Sequence, residues 1–170
     1  MRPPAAEACG RRAARAALAV LAALACARPA AAATVDISGL QDVTFSSLDP
    51  TVSVTRSQNL CVFSNTLLGL YSVTARGSGS ASAFTLSAGG SVAPLPYQVQ
   101  WSAVSGASSG TALSPATALT GQASNAILPT CALGPSSSAS LIVMLRASDL
   151  QAAGSGLTYS GTLNLTIAPD

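Results

Sequence analysis

Thr162-Leu163-Asn164-Leu165-Thr166-Ile167 alternates polar and apolar residues without a break. Leu163, Leu165 and Ile167 fall on one side and Thr162, Asn164 and Thr166 on the other. Strict period-two alternation of β-favouring residues predicts a half-buried strand. Pro169 brings no amide to a ladder and marks where that strand stops. An apolar strand face needs cover, and a free strand edge needs a neighbour.

The same period recurs upstream. Val35 and Ile37 alternate with polar neighbours until Gly39 interrupts them, and Asp42-Val43-Thr44-Phe45 resumes the pattern. Asp49-Pro50 signals a turn. Thr51-Val52-Ser53-Val54-Thr55 alternates again, and Leu60-Cys61-Val62-Phe63 is a short apolar run. Residues 65–69 read as a loop. Tyr71 to Arg76 is a further strand, closed by Gly77-Ser78-Gly79-Ser80, and Phe84-Thr85-Leu86 is a short one before Gly89-Gly90. In Leu95 to Trp101, Tyr97, Val99 and Trp101 share one face and Gln98 and Gln100 the other, which gives both aromatic rings a core role. Residues 106–121 form a long Ser/Ala/Thr-rich loop with a short strand around Thr117 to Leu119. Ala139 to Leu145 is mostly apolar, as a strand in a sandwich interior is. Ser148 to Gly154 reads as one helical turn with a glycine stop. About seven short strands with turn signals every ten residues or so predict an all-β fold, an immunoglobulin-like Greek-key β-sandwich.

Composition supports this class. Charged residues make up 8% of the 170 and histidine is absent, while Ser, Thr and Gly accompany the β-branched residues. A helical protein of the cytoplasm would carry many Lys and Glu, and a disordered chain would carry more net charge.

The first 33 residues have a different character. Arg2, Arg11, Arg12 and Arg15 precede an apolar run from Ala16 to Ala25, and Ala31-Ala32-Ala33 is a small-residue cleavage site. The run is short for a membrane-spanning helix, so residues 1–33 are expected to be a secretory signal peptide cut between Ala33 and Thr34, with no stable membrane span. Ala23-Leu24-Ala25-Cys26 offers an alternative, a lipobox with Cys26 acylated, but Ala23 stands where Leu is usual. Residues 34–170 then form a single domain. It keeps Arg56, Arg76 and Arg146 against Asp36, Asp42, Asp49, Asp149 and Asp170, a net charge of −2 where the full chain has +2. Without a basic patch, nucleic acid is not expected as a partner.

Candidate chemistry is sparse. Past residue 33 there is no His, Lys or Glu, so general acid–base work would fall to Asp and Tyr, and the aspartates sit at expected turns or caps. No serine lies in a G-x-S-x-G elbow. Neither catalysis nor a metal or cofactor is expected. Cys61 and Cys131 remain as an even pair in an exported chain, where a disulfide is the default. Leu67-Leu68-Gly69-Leu70 reads as an exposed adhesive loop or as a buried corner, and the rarity of exposed apolar patches favours the corner. The sequon Asn164-Leu165-Thr166 falls inside a strand and reads as accidental.

The order Cys61-Val62-Phe63-Ser64-Asn65, Tyr71 to Gly77, Phe84-Thr85-Leu86, Leu95 to Trp101, Cys131 and Tyr159 to Ile167 resembles the spore coat protein U domain. That family includes subunits of archaic chaperone–usher pili of the Csu type. The resemblance runs from about Ile37 through Asp170, nearly the whole of the expected mature chain. It implies pairing of Cys61 with Cys131 and an incomplete immunoglobulin-like sandwich lacking its last strand. It also implies a secreted structural subunit of a fibre or coat, assembled by donor-strand complementation. The implied partners are a periplasmic chaperone, an outer-membrane usher and neighbouring subunits. The implied destination is the periplasm and then the cell surface. Leu163, Leu165 and Ile167 would line the acceptor groove, and Val35 and Ile37 are the candidate donor strand. Cleavage after Ala33 leaves a short arm for that second role. The alternative function is a secreted adhesin or carbohydrate-binding module, with Tyr97 and Trp101 as the rings that would stack on sugar.

Overall fold

The computed structural model describes residues 32–170. The expected signal peptide lies outside the described residues apart from Ala32 and Ala33. Among the described residues, ten strands and one α-helix follow in the order β1 Val35–Ser38, β2 Val54–Ser64, β3 Leu70–Gly77, β4 Thr85–Leu86, β5 Leu95–Pro96, β6 Gln98–Ser102, β7 Thr111–Ala112, β8 Ala118–Ala123, β9 Ala139–Leu145, α1 Ala147–Ala152 and β10 Leu163–Pro169, with a single 3-10 turn at Ser80–Ser82 between β3 and β4. Seven of the strands have four or more residues; β4, β5 and β7 are two-residue pairings. Every pairing is antiparallel. One sheet has the order β1-β2-β9-β6-β7, a second β10-β3-β8, and β4 pairs with β5.

The alternation in the sequence becomes the packing between the sheets. Tyr71, Val73 and Ala75 of β3 face Val99 and Trp101 of β6 and Leu141, Val143 and Leu145 of β9 in one core. The result is an all-β sandwich. Trp101 is 1% exposed, and its indole N–H donates to the Tyr71 hydroxyl at 3.2 Å across the sheets. The two rings meet edge-on with centroids 6.4 Å apart. An edge-on aromatic pair with a satisfied N–H adds orientation to the apolar burial.

Side chains extend the ladders past the strand ends. The β2–β9 register stops at Leu60↔Ala139. Beyond it, the Ser138 hydroxyl accepts the Val62 N–H at 2.8 Å and lies 2.8 Å from the Val62 carbonyl. Cys61 and Cys131 form the disulfide, with Cα atoms 5.8 Å apart, and so fasten the 124–138 loop to β2. The crossover from β7 to β8 closes one side of the sandwich, with Leu113 N–H on the Val99 carbonyl and Ala116 N–H on the Ala75 carbonyl.

Three readings of the sequence need correction. The segments 51–55 and 60–63 are not separate strands. Thr51 to Ser53 belong to the turn, where the Thr51 N–H and hydroxyl both donate to Asp49, and everything from Val54 to Ser64 is one strand. These two hydrogen bonds, the hydroxyl first, hold the Asp49 carboxyl below its usual range. Asp36 is not at a turn but on the exposed face of β1, opposite Phe63. The corner at residues 67–70 is not tucked in, for Leu67 is 96% and Leu68 72% exposed. Ser64 and Thr66 hydroxyls both bond the Leu70 carbonyl, which makes a tight arch and turns the two leucines outward.

Candidate functional site

The strand predicted from Thr162 to Ile167 is β10. One of its edges pairs with β3 over seven residues, from Leu163↔Gly77 to Pro169↔Tyr71. Its other edge pairs with no strand among the described residues. The lead-in is held closely. Ser160 exchanges two backbone hydrogen bonds with Ser87, and Thr162 N–H donates to the Ser78 hydroxyl at 3.2 Å. A side chain at Gly161 would meet the Thr85 carbonyl oxygen at 3.0 Å, so a glycine is needed for this approach.

On the same side of the sandwich, β1 pairs with β2 in the register Val35↔Ser64 to Ser38↔Cys61 and contacts β10. Val35 and Ile37 are half-buried against the core. Gly39, at φ +86°, then turns the chain out of the sheet. Leu40 to Leu48 pairs with no strand among the described residues. It is held by side chains instead. The Gln58 amide accepts the Gln41 N–H at 2.9 Å and donates to the Gln41 carbonyl at 3.2 Å, and the Arg56 guanidinium stands 5.9 Å from the Phe45 ring centroid.

A groove of about 710 Å³ opens between this stretch and the segment 157–165. Leu95, Tyr97, Leu141, Val143 and Leu145 line it, which makes its floor the core itself. Leu40 and Leu157 on its rim are about half exposed. A second cavity of about 750 Å³ shares Phe45, Leu48, Leu95, Leu157 and Tyr159 with it and continues to Leu150 and Ala153 at α1. Among the groove's lining residues only Asp42 bears a charge. The Tyr97 hydroxyl is buried without a hydrogen-bond partner, and burial raises its pKa, so it stays protonated at neutral pH. Burial likewise raises Tyr71, against the lowering effect of the Trp101 hydrogen bond.

The expected site residues separate here. Leu163 and Leu165 line the groove, while Ile167 lies beyond it. Val35 and Ile37 are in the chain's own first strand. Sequence reasoning missed the wall from Leu40 to Leu48 and the floor at Leu141, Val143 and Leu145. The alternation at Asp42 to Phe45 suggested a resumed strand there, but past Gly39 the segment pairs with no strand among the described residues and forms a groove wall instead.

The arrangement sets an apolar trough beside a strand edge that pairs with no strand among the described residues, and such an edge can take an added strand. No cluster of three or more His, Cys, Asp or Glu side chains able to hold a metal occurs among the described residues. No helix among them is long and apolar enough to cross a membrane. Comparison with protein-family models, with curated proteins and with solved structures finds no match.

Proposed function

We propose that this chain is an exported structural subunit of a surface fibre or coat, of the Csu-pilus or spore-coat-U kind, whose sandwich is completed by a strand from another chain. The observation that carries this reading is the groove, which opens onto core residues beside the free edge of β10. On this reading the fold is an immunoglobulin-like Greek key lacking its last strand. A periplasmic chaperone covers the groove in transit, an usher passes the subunit outward, and a neighbouring subunit fills it. Burying apolar residues of an incoming strand adds hydrophobic contact, and its main chain satisfies the β10 edge. The test is strand supplementation. A peptide of alternating Val and Thr is expected to form a one-to-one complex with the mature chain and to slow amide exchange along β10. A Leu165→Lys variant, which puts a charge on the groove wall, is expected to lose most of that capture.

A second reading, adhesion, is favoured by a separate observation. Leu67, Leu68, Ile127 and Leu133 are each more than 60% exposed. They sit on two loops, 65–69 and 124–138, joined by the Ser124 N–H to Gly69 carbonyl hydrogen bond. No charged residue occurs anywhere between Arg76 and Arg146. An apolar, uncharged loop cluster of this kind marks a contact surface. Leu67→Ser with Leu68→Ser is expected to cut adsorption to polystyrene while leaving the thermal midpoint unchanged. Trp101 is 1% exposed and Tyr97 6%, so burial argues against either ring as a platform for sugar.

A further inference from the structure

We infer that this chain receives a strand but does not give up its own amino-terminal strand to a neighbour. The inference rests on the proposed strand-completed assembly and assigns the chain a role within it. Donation from the amino end needs residues between the processing site and the first strand of the domain. On the expected cleavage after Ala33, none are present. Thr34 is already engaged, its N–H on the Asn65 side-chain oxygen at 2.6 Å and its carbonyl on the Asn65 N–H at 3.1 Å. Val35 begins the β1–β2 ladder at the next residue.

Removing β1 would also undo the domain that offered it. Val35 and Ile37 pack against the core, and Ile37 is paired with Val62, which is 0% exposed. Without β1, the carboxyl-terminal half of β2 becomes a bare edge, and β10 loses its contact with β1. That outcome would uncover core on the donor for every groove filled on the acceptor. The break at Gly39 argues the same way. A donated strand would have to remain alternating across the groove, whereas the alternation from Val35 stops after Ser38. The chain therefore fits an end position in an assembly, where a groove is filled and no amino-terminal strand is passed on.

The experiment uses the exported, processed protein with Asp36→Cys and Phe63→Cys, a pair directly opposite in the β1–β2 register on the outer face. Opposed residues in an antiparallel pair stand about 5 Å apart at Cβ, within reach of a short bis-maleimide. Sequencing of the amino terminus first fixes the mature start, which is expected at Thr34. The protein is cross-linked while assembling with its natural partners on the cell surface. Links within one chain, with incorporation unchanged, are the expected result. Links between copies or to other subunits, a mature start upstream that leaves a free arm, or absence of any link within the chain, whether through the bis-maleimide or as a disulfide formed directly between the two introduced cysteines, would overturn the inference. The alternating Val/Thr peptide run in parallel separates the two claims. Capture of that peptide together with inter-chain links sinks only the end-position role, whereas failure of capture sinks the strand-completed assembly itself.

Discussion

Replacing both Cys61 and Cys131 with serine is expected to destabilise the domain by about 4 kcal/mol. The bond spans 70 residues, and a cross-link over a loop of that length removes much of the freedom of the unfolded chain. The native state should lose less. The 124–138 loop keeps its side-chain clamps at both ends, with the Ser124 and Ser138 hydroxyls on the Val62 carbonyl. The fold should therefore survive with its secondary structure unchanged and its thermal midpoint lowered by roughly 15 °C. Circular dichroism melts of the double variant, and of the native chain with and without reductant, check this. A fall of only a degree or two would mean that the unfolded chain is already compact around this link.

Trp101→Ala carries an effect of similar size for a different reason. The side chain is among the largest fully buried ones, and truncation leaves a cavity between the sheets at a cost of about 3–5 kcal/mol. It also strips the Tyr71 hydroxyl of its indole partner. Urea denaturation is expected to show a much earlier midpoint, or the variant will fail to accumulate. A sugar-binding role for Trp101 predicts the opposite pattern, with glycan binding lost and the midpoint unchanged. Because Trp101 is buried in β6, the loss of stability is the expected pattern.

Much of the sandwich was legible because its strands carry their own period. Tyr71, Val73 and Ala75 alternate with polar neighbours and are all 0% exposed, and Tyr97, Val99 and Trp101 behave alike. The pairing of Cys61 with Cys131 followed from the expectation that only these two cysteines persist in an exported chain, and the structure forms that bond. Other features depend on tertiary contacts that periodicity does not encode. The β2 strand runs unbroken through Arg56-Ser57-Gln58-Asn59 because β9 supplies a partner for each residue, although that run has no apolar alternation. Leu67 and Leu68 are exposed because two hydroxyls tighten the arch beneath them, and hydropathy alone argued for burial. Half of the groove was visible, since Leu163 and Leu165 announced an apolar strand in need of cover. Its other wall carries a brief strand period at Asp42 to Phe45 that misled, since the segment is held by Gln58 and Arg56 rather than by a ladder.

The unpaired edge of β10 is the centre of the account, and a strand supplied in cis tests it most directly. About ten alternating Val and Thr residues, a typical upper length for a strand, are joined to Asp170 through a short Asn/Gly linker. Two or three apolar side chains settling into the groove contribute roughly 3–6 kcal/mol. The account predicts that the fusion is a monomer whose thermal midpoint exceeds that of the unfused chain by about 10 °C or more. Leu165→Lys should cancel most of the gain. An unfused chain that is already a reversible, equally stable monomer, with no gain from the added strand, would contradict it.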